Sequence, residues 1–457
     1  MTQASRDDRV ARGRLQGSDV TTDAAPPVRN PRLARRQVAT VALLMAGYTG
    51  YYFCRSNFPV CAPMIREELA RGGMSPDDAK IGLGSIITIG ALAYAAGKFL
   101  GGGVTDRLGG SRIYLAGMLG SIFFTLAFAL GGTLPAFLAT SVGNRFAQSL
   151  GWVGIVRVVS RWFPYNRFGT VMGFVSLSYL FGDALSRKFM KILLDYDFTW
   201  RGIYCTTAAV LGAMFVLNLI FLRESPADVG EPEPEPNPDN LFGREGAEAK
   251  SSGLASILGP LFRSRAFWCA CLLSIGLTLL RETFQNWTPL YFKDDLGFTD
   301  AEAADKSAWF PFFGGISVLL VGFLSDRLGR GGRALVIAAG LLAATVALFF
   351  LAIRVPHGTA FGPAAVVALI GFLLVGPYSF LAGAVALDFG GKKGSAAAAG
   401  IIDGVSYIGA MLSGLFMAKV SVAFGWSGAF AVLALVALLT GAVGIFFYWD
   451  QRRGLRA

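Results

Sequence analysis

The sequence predicts an all-α membrane protein of twelve transmembrane helices arranged as two six-helix pseudo-repeats. Three observations predict it. Of 457 residues, 54% are hydrophobic and only 16% charged, where a soluble domain carries about a quarter charged residues. The apolar residues gather in twelve blocks of about 20 residues or more, the length that crosses a hydrocarbon core of roughly 30 Å. Short motifs of the first half recur in the second at a nearly constant offset.

Residues 1–36 come first, with eight arginines, four aspartates and the Pro26–Pro27 pair. They contain no apolar core of signal-peptide length and read as a disordered, uncleaved cytoplasmic tail. The first six-helix bundle, 37–223, holds apolar blocks at 38–64, 81–103, 113–133, 135–160, 168–194 and 202–222. Residues 224–264 follow, and the stretch GEPEPEPNPDN (Gly230 to Asn240) alternates acids with prolines that build no packed core. This is a linker between the halves, expected on the cytoplasmic side. The second bundle, 265–449, holds blocks at 266–292, 307–325, 334–353, 361–387, 396–421 and 425–449, and 450–457 form a last cytoplasmic tail. The 58 glycines and 37 phenylalanines suit helices that approach closely and face lipid.

Orientation follows from the basic residues, which accumulate on the cytoplasmic side. With the N-terminus cytoplasmic, 25 of 41 Lys and Arg fall in cytoplasmic tails and loops and 11 outside or at the outer flank. Five are embedded: Arg55, Lys98, Arg145, Arg157 and Arg281. Both termini are therefore expected in the cytoplasm of a multi-pass protein of a bacterial-type inner membrane. The repeat supports the two halves. DRLG occurs at Asp106 to Gly109 and Asp326 to Gly329, 220 residues apart, and WxG at Trp200 to Gly202 and Trp426 to Gly428, 226 apart. Arg55 and Arg281 are also 226 apart. Parallel repeats of this kind face each other across an axis along the membrane normal.

Several function classes drop out. The net charge of +11 is spread through tails and loops, so it offers nucleic acid no single face. Cys54, Cys61, Cys205, Cys269 and Cys271 lie in or beside apolar blocks without CxxC spacing, which reads as packing thiols rather than a disulfide framework or zinc site. His357 is the sole histidine and falls in a loop. No GxSxG elbow, GxxxxGK[ST] loop or HExxH helix occurs, so no enzyme is predicted, and no cofactor or metal.

The embedded arginines point to a site. An arginine at mid-helix costs about 2.5 to 3.5 kcal/mol on insertion scales, so something within the bundle must compensate it. Arg55 and Arg281 both sit near the middle of their blocks and are expected to face each other across a central cavity. Two guanidiniums there, each a planar fork of donors, fit a tetrahedral oxyanion. The alternative is that each pairs with an internal acid, Glu282, Asp183 or Asp403. Glu282, adjacent to Arg281, is expected to point about 100° away around the helix. Helical spacing adds Tyr48, Tyr51 and Tyr52 before Arg55, and Thr278, Gln285 and Thr288 around Arg281. Lys98, Asp403 and Tyr407 are further cavity candidates, and Arg157 is either one of these or a structural charge near the cytoplasmic end. The DRLG loops, GGGVTDRLGGSR (Gly101 to Arg112) and GFLSDRLGRGGR (Gly322 to Arg333), resemble the signature loop of the major facilitator superfamily. That resemblance implies the major facilitator fold, with Asp106, Arg107, Asp326 and Arg327 in a conformational latch between the halves.

Longer segments carry a narrower resemblance. GYYFCRSNFPV (Gly50 to Val60), AYAAGKF (Ala93 to Phe99), GWVGIVRVVSRWFPYNRFG (Gly151 to Gly169), LLRETFQNWTPLYFKDDLGF (Leu279 to Phe298) and ALDFGGKKGSAAAAGIIDGVSYIG (Ala386 to Gly409) resemble the organophosphate:phosphate antiporters, the glycerol-3-phosphate and hexose-phosphate transporters. The likeness runs from about 38 to 449. It implies that Arg55 and Arg281 bind the phosphate moiety and that Lys98 lies near the pathway. There are departures. Ser56 and Asn286 stand where glycerol-3-phosphate members carry a lysine and an acid, Ser178 stands at about the position of a cavity histidine, and Val153 and Gly154 replace tandem prolines.

The resulting expectation is a secondary transporter in a lipid bilayer that exchanges a small phosphate ester (sugar phosphate, glycerol-3-phosphate or phosphoglycerate) for inorganic phosphate by alternating access, working as a monomer. Phosphate would neutralise the repulsion between Arg55 and Arg281 and so speed the loaded carrier's switch. The alternatives are a hexose-phosphate-type membrane sensor, and a proton-coupled carrier of another organic anion using Asp183, Glu282 or Asp403.

Overall fold

The computed structural model describes residues 31–234, 254–328, 332–353, 361–381 and 385–453, almost all of them helical. The first half comprises α1 (Pro31–Arg71), α2 (Pro76–Leu108), α3 (Gly110–Leu130), α4 (Leu134–Trp162), α5 (Tyr165–Asp195) and α6 (Trp200–Phe221). A 3-10 turn, Pro226–Val229, and α7 (Leu254–Arg263) lead into the second. That half comprises α8 (Arg265–Leu296), α9 (Asp300–Ser307), α10 (Trp309–Leu328), α11 (Gly332–Ile353), α12 (Phe361–Ser379), α13 (Ala386–Leu412) and α14 (Leu415–Arg453). Inside α14, Gly425 adopts φ 66° and ψ −175°, a backbone that a side chain would strain. Residues 415–424 therefore prolong α13 as the eleventh span, and residues 426–453 form the twelfth.

The ends of the helices are written in the sequence. Ser75 accepts from the Asp78 amide at 3.0 Å at the start of α2, where Pro76, Asp77 and Asp78 suit the first turn. At α3 the cap comes from afar. Glu224, beyond α6, accepts from the amides of Gly110 (2.8 Å) and Ser111 (2.7 Å) and from the Ser111 hydroxyl. The carboxylate thus meets the positive end of the helix. Burial opposes its charge, but these donors hold it below the usual carboxylate range.

Three boundaries differ from expectation. α1 begins at Pro31 rather than at 37, because Pro suits the first helical position and Arg32, Arg35 and Arg36 extend a helix while keeping their charges in water. The linker is ordered at its end as α7, which packs on α13 and α8. α9 was not anticipated at all. It is a polar eight-residue helix started by a reciprocal cap between Thr299 and Glu302.

The repeat is visible in the packing. α1 packs on α5 and α6, α2 on α4, and α3 on α4 and α6. In the second half α8 packs on α13 and α14, α10 on α12, and α11 on α12 and α14, the same pairing in the same order. The two WxG tryptophans hold matching places. Trp200 packs edge-on to Phe128, Phe137 and Tyr204, and Trp426 against Trp287, Tyr291 and Phe430. Outward faces are apolar, with Phe123 62% and Val346 71% exposed, as lipid contact requires. Of the cysteines, Cys54, Cys61, Cys269 and Cys271 are buried and unpaired as expected, whereas Cys205 is exposed. His357 lies outside the described residues.

Ion pairs join the halves at one end, where α1 and α8 terminate. Arg66 binds Asp294 at 2.6 Å, Lys80 reaches the same carboxylate at 3.7 Å, Lys293 binds Glu67 at 2.9 Å and Lys188 binds Asp305 at 2.5 Å. Deeper, Thr88 of α2 donates to the Met411 carbonyl at 2.8 Å, and Gly84 leaves room for Ala418, which a Cβ there would approach to 2.5 Å. Among the described residues, no ion pair joins the halves at the opposite end.

Candidate binding site

Three arginines converge at the centre of the bundle. Arg55 of α1 lies over the rings of Tyr52 (5.5 Å) and Tyr94 (4.9 Å), contacts of about 2 kcal/mol when desolvated. Arg145 of α4 lines the same cavity as Arg55, with Asn57 and Asn144 beside it. Gly90 of α2 permits that, since a Cβ there would stand 3.1 Å from Arg145 Cγ. Arg281 of α8 lies 4.5 Å from the Tyr378 ring centre. Tyr52 is within electrostatic reach of both Arg55 and Arg281.

The expectation that Glu282 points away from Arg281 is overturned. Its Oε1 pairs with Arg281 Nη2 at 2.6 Å, and Oε2 accepts from Asn286 Nδ2 at 3.3 Å. Backbone positions 100° apart do not keep two long side chains apart when both bend into one cavity. Glu282 also faces Arg55 and Arg145. Arg55 and Arg281 therefore do not face each other unscreened, because the Glu282 carboxylate pairs with one and is within electrostatic reach of the other. Arg281 keeps its Nε buried without an acceptor. Neither Arg55 nor Arg145 has an ion-pair partner among the described residues.

Lys98 of α2 binds Asp403 of α13 at 2.8 Å across the halves. Its ammonium lies 5.5 Å from the Tyr94 ring and 5.3 Å from the Tyr407 ring, and the two rings pack 5.8 Å apart. Asp183 is saturated. Its Oδ1 accepts from Ser56 Oγ (2.5 Å) and Arg187 Nε (2.9 Å), and its Oδ2 from Gln285 Nε2 (2.9 Å). Arg187 crosses to the second half, donating to the Gln285 carbonyl (2.7 Å) and Ser307 Oγ (3.1 Å). Ser56 and Asn286 thus each serve a neighbouring acid. All three embedded acids considered from the sequence have basic partners.

Other expected residues fall in place unevenly. Tyr48 packs on Tyr52 and Trp152 and faces Arg55, and Gln285 lines a small cavity with Arg281 and Asp183. Tyr51 is turned away, donating to the Tyr114 carbonyl at 2.7 Å and filling the space left by Gly117 and Gly151. Thr288 likewise faces Trp426 and Phe430, its hydroxyl bound to the Phe284 carbonyl at 2.5 Å. A place four or seven residues from an arginine along a helix is thus not the same cavity when a groove of a neighbouring helix takes the side chain. Arg157 packs against Gly110 at the start of α3, the structural place. Arg107 is exposed, and the side chains of Asp106, Asp326 and Arg327 lie outside the described residues. Tyr94, Tyr378 and Tyr179, which lines the small cavity of Arg281 and Gln285, were not anticipated. Tyr94 had a signal, one turn before Lys98.

Arg55 and Arg145 line one small cavity and Arg281 another, with Tyr179, Asp183 and Gln285, and guanidiniums brought this near one another can hold a small multivalent anion. The described residues hold no group of His, Cys, Asp and Glu placed to bind a metal. The family model described as the Major Facilitator Superfamily matches residues 44–412. The chain is similar to a glycerol-3-phosphate transporter of Bacillus subtilis, 24% identical over 404 residues, 85% of this chain and 87% of that protein. It is 28% identical over 398 residues to the membrane sensor protein UhpC of Salmonella typhimurium, covering 86% and 87%. It is 28% identical over 409 residues to sugar phosphate exchanger 3 of Bos taurus, covering 80% and 79%. Among solved structures, a bacterial homolog of the human lysosomal transporter Spinster, inward-facing and unoccupied, superposes with a TM-score of 0.70 at 16% identity, covering 92% of this chain and 97% of that one.

Proposed function

Because the chain belongs to the Major Facilitator Superfamily, we propose that it is a secondary transporter exchanging a small organophosphate for inorganic phosphate by alternating access. The observation that carries this reading is the convergence of Arg55 and Arg145 from one half with Arg281 from the other, the first two without a carboxylate partner among the described residues. The names of the relatives support the substrate class. A phosphate that bridges Arg55 and Arg145 to the Nε edge of Arg281 draws the two halves together, and that contact exists only in the loaded carrier. Binding energy is then spent on the closed intermediate, so exchange outruns passage of the empty carrier. The ion-paired state of Asp183, Glu282 and Asp403 favours this reading over a proton-coupled one.

The two bundles, the first begun by α1 at Pro31 and ending near 223 and the second spanning 265–449, lie in an inner membrane with both termini cytoplasmic, and the protein works as a monomer. In that orientation the ion-paired end is the outer one, and the site opens to the cytoplasm. Asp106, Arg107, Asp326 and Arg327 then latch the cytoplasmic end in the opposite state.

Ligand binding to the folded protein tests the site. A ligand at 100 times its Kd adds about 2.7 kcal/mol of stability. Inorganic phosphate and glucose-6-phosphate are expected to raise the melting temperature of the purified protein, whereas glucose does not. A rise no larger than that from chloride at equal ionic strength would count against the reading. A sensor of the UhpC kind would share this result and would differ in transport.

A further inference from the structure

Among the described residues, the charges gathered at the centre of the bundle are four cations, Arg55, Arg145, Arg281 and Lys98, and two carboxylates, Glu282 and Asp403. The surplus is two positive charges. The Asp183 and Arg187 pair behind them is neutral as a unit and bound on every side. Lys98 and Asp403 also cancel each other across the halves. What sets the surplus at two rather than three is therefore Glu282, the one acid among the described residues within electrostatic reach of all three arginines.

From this we propose that Glu282 is a specificity-determining residue that matches the site to a dianion, a phosphate monoester whose remaining body is uncharged. This rests on the site's being a phosphate site, as proposed above. At a pH of about 7.5 a phosphate monoester is a dianion, because its second pKa is about 6. Such a group neutralises the surplus of two. An ester bearing a further carboxylate brings a third negative charge into a low-dielectric cavity that already holds Glu282, and like charges there repel strongly. Sugar and polyol phosphates fit, and phosphoglycerate does not.

Glu282 reaches this effect without blocking the anion. It occupies only Nη2 of Arg281, and the guanidinium has five N–H donors. The Nε–H stays buried with no acceptor, so an oxyanion can bind beside Glu282 rather than in its place. Asn286 holds the second carboxylate oxygen and its own amide also donates to the Glu282 carbonyl at 2.8 Å, which fixes the acid on the cavity side of α8.

The test is a set of binding titrations on the purified full chain, with glucose-6-phosphate, 3-phosphoglycerate and inorganic phosphate, for the parent, Glu282→Gln and Glu282→Asp. Glutamine keeps the shape and the acceptor for Arg281 while removing the charge. The parent is expected to bind glucose-6-phosphate about tenfold more tightly than 3-phosphoglycerate, and Glu282→Gln to erase or invert that ratio, one charge at this range being worth about a factor of ten. Glu282→Asp is expected to keep the parent's order. Equal binding of the two esters by the parent overturns the inference, whatever the variants do. A ratio that Glu282→Gln leaves unchanged overturns it too, with phosphate binding intact. Absence of binding by every phosphate compound overturns the phosphate reading itself, and the inference with it.

Discussion

Arg55→Lys is expected to lower phosphate exchange in proteoliposomes about 100-fold or more while leaving the protein folded. Lysine keeps the charge but replaces a planar fork of donors with a flexible point charge. Two charge-assisted hydrogen bonds to an oxyanion, each worth about 1.5 to 3 kcal/mol, become at most one well-placed contact. A loss of about 3 kcal/mol is a factor of over 100. The fold survives because Arg55 touches aromatic faces rather than an acid, so its loss leaves no carboxylate buried alone. Arg281→Lys differs in this respect. It disturbs Glu282 as well, and both exchange and melting temperature are expected to fall. Comparing the two variants by exchange rate and by thermal unfolding checks this, and equal exchange by Arg55→Lys and the parent would remove Arg55 from the site.

The second large effect concerns stability. Asp183 and Arg187 are each 1% exposed, and Asp183→Ala leaves the Arg187 guanidinium buried without its counter-charge. Breaking such a pair by removing one partner costs about 3 to 5 kcal/mol, whereas replacing both by apolar residues of similar volume is often nearly neutral. Asp183→Ala is therefore expected to melt far below the parent, and Asp183→Leu with Arg187→Met to recover most of the loss. The double variant also lacks the contacts to Gln285 and Ser307 in the second half, so it is expected to open more readily at the end where α1 and α8 terminate. Thermal unfolding in detergent measures the first effect, and cysteine-labelling rates at that end measure the second. A single variant as stable as the parent would show that the pair does not carry the closure.

Hydropathy and repeat offsets show the architecture because a bilayer leaves few other ways to satisfy a backbone. The twelve spans and the repeat that matches Trp200 with Trp426 were legible. α9 was not, since eight polar residues resemble any loop, although Thr299 and Glu302 carried its start signal. At the site, a single helix told which side chains lie near one another along that helix and nothing of what stands opposite. Arg145 was visible as an embedded charge, but only the fold brings α4 beside α1 and shows it lining the Arg55 cavity. Tyr51 and Thr288 failed for the same reason, turned into grooves made by Gly117 and Gly151 or by Trp426 and Phe430. Glu282 was visible too, and its partner was misjudged because side-chain length outweighs the angle between neighbouring Cα–Cβ bonds.

Uptake of radiolabelled phosphate into proteoliposomes tests the central claim most directly, with vesicles preloaded with phosphate, glycerol-3-phosphate, glucose-6-phosphate, 3-phosphoglycerate or nothing. The account predicts uptake only into vesicles loaded with phosphate or an ester, strongest with an ester of uncharged body, and its loss in Arg55→Lys. Uptake as fast into empty vesicles, or none under any loading by a folded protein that binds phosphate, would contradict it.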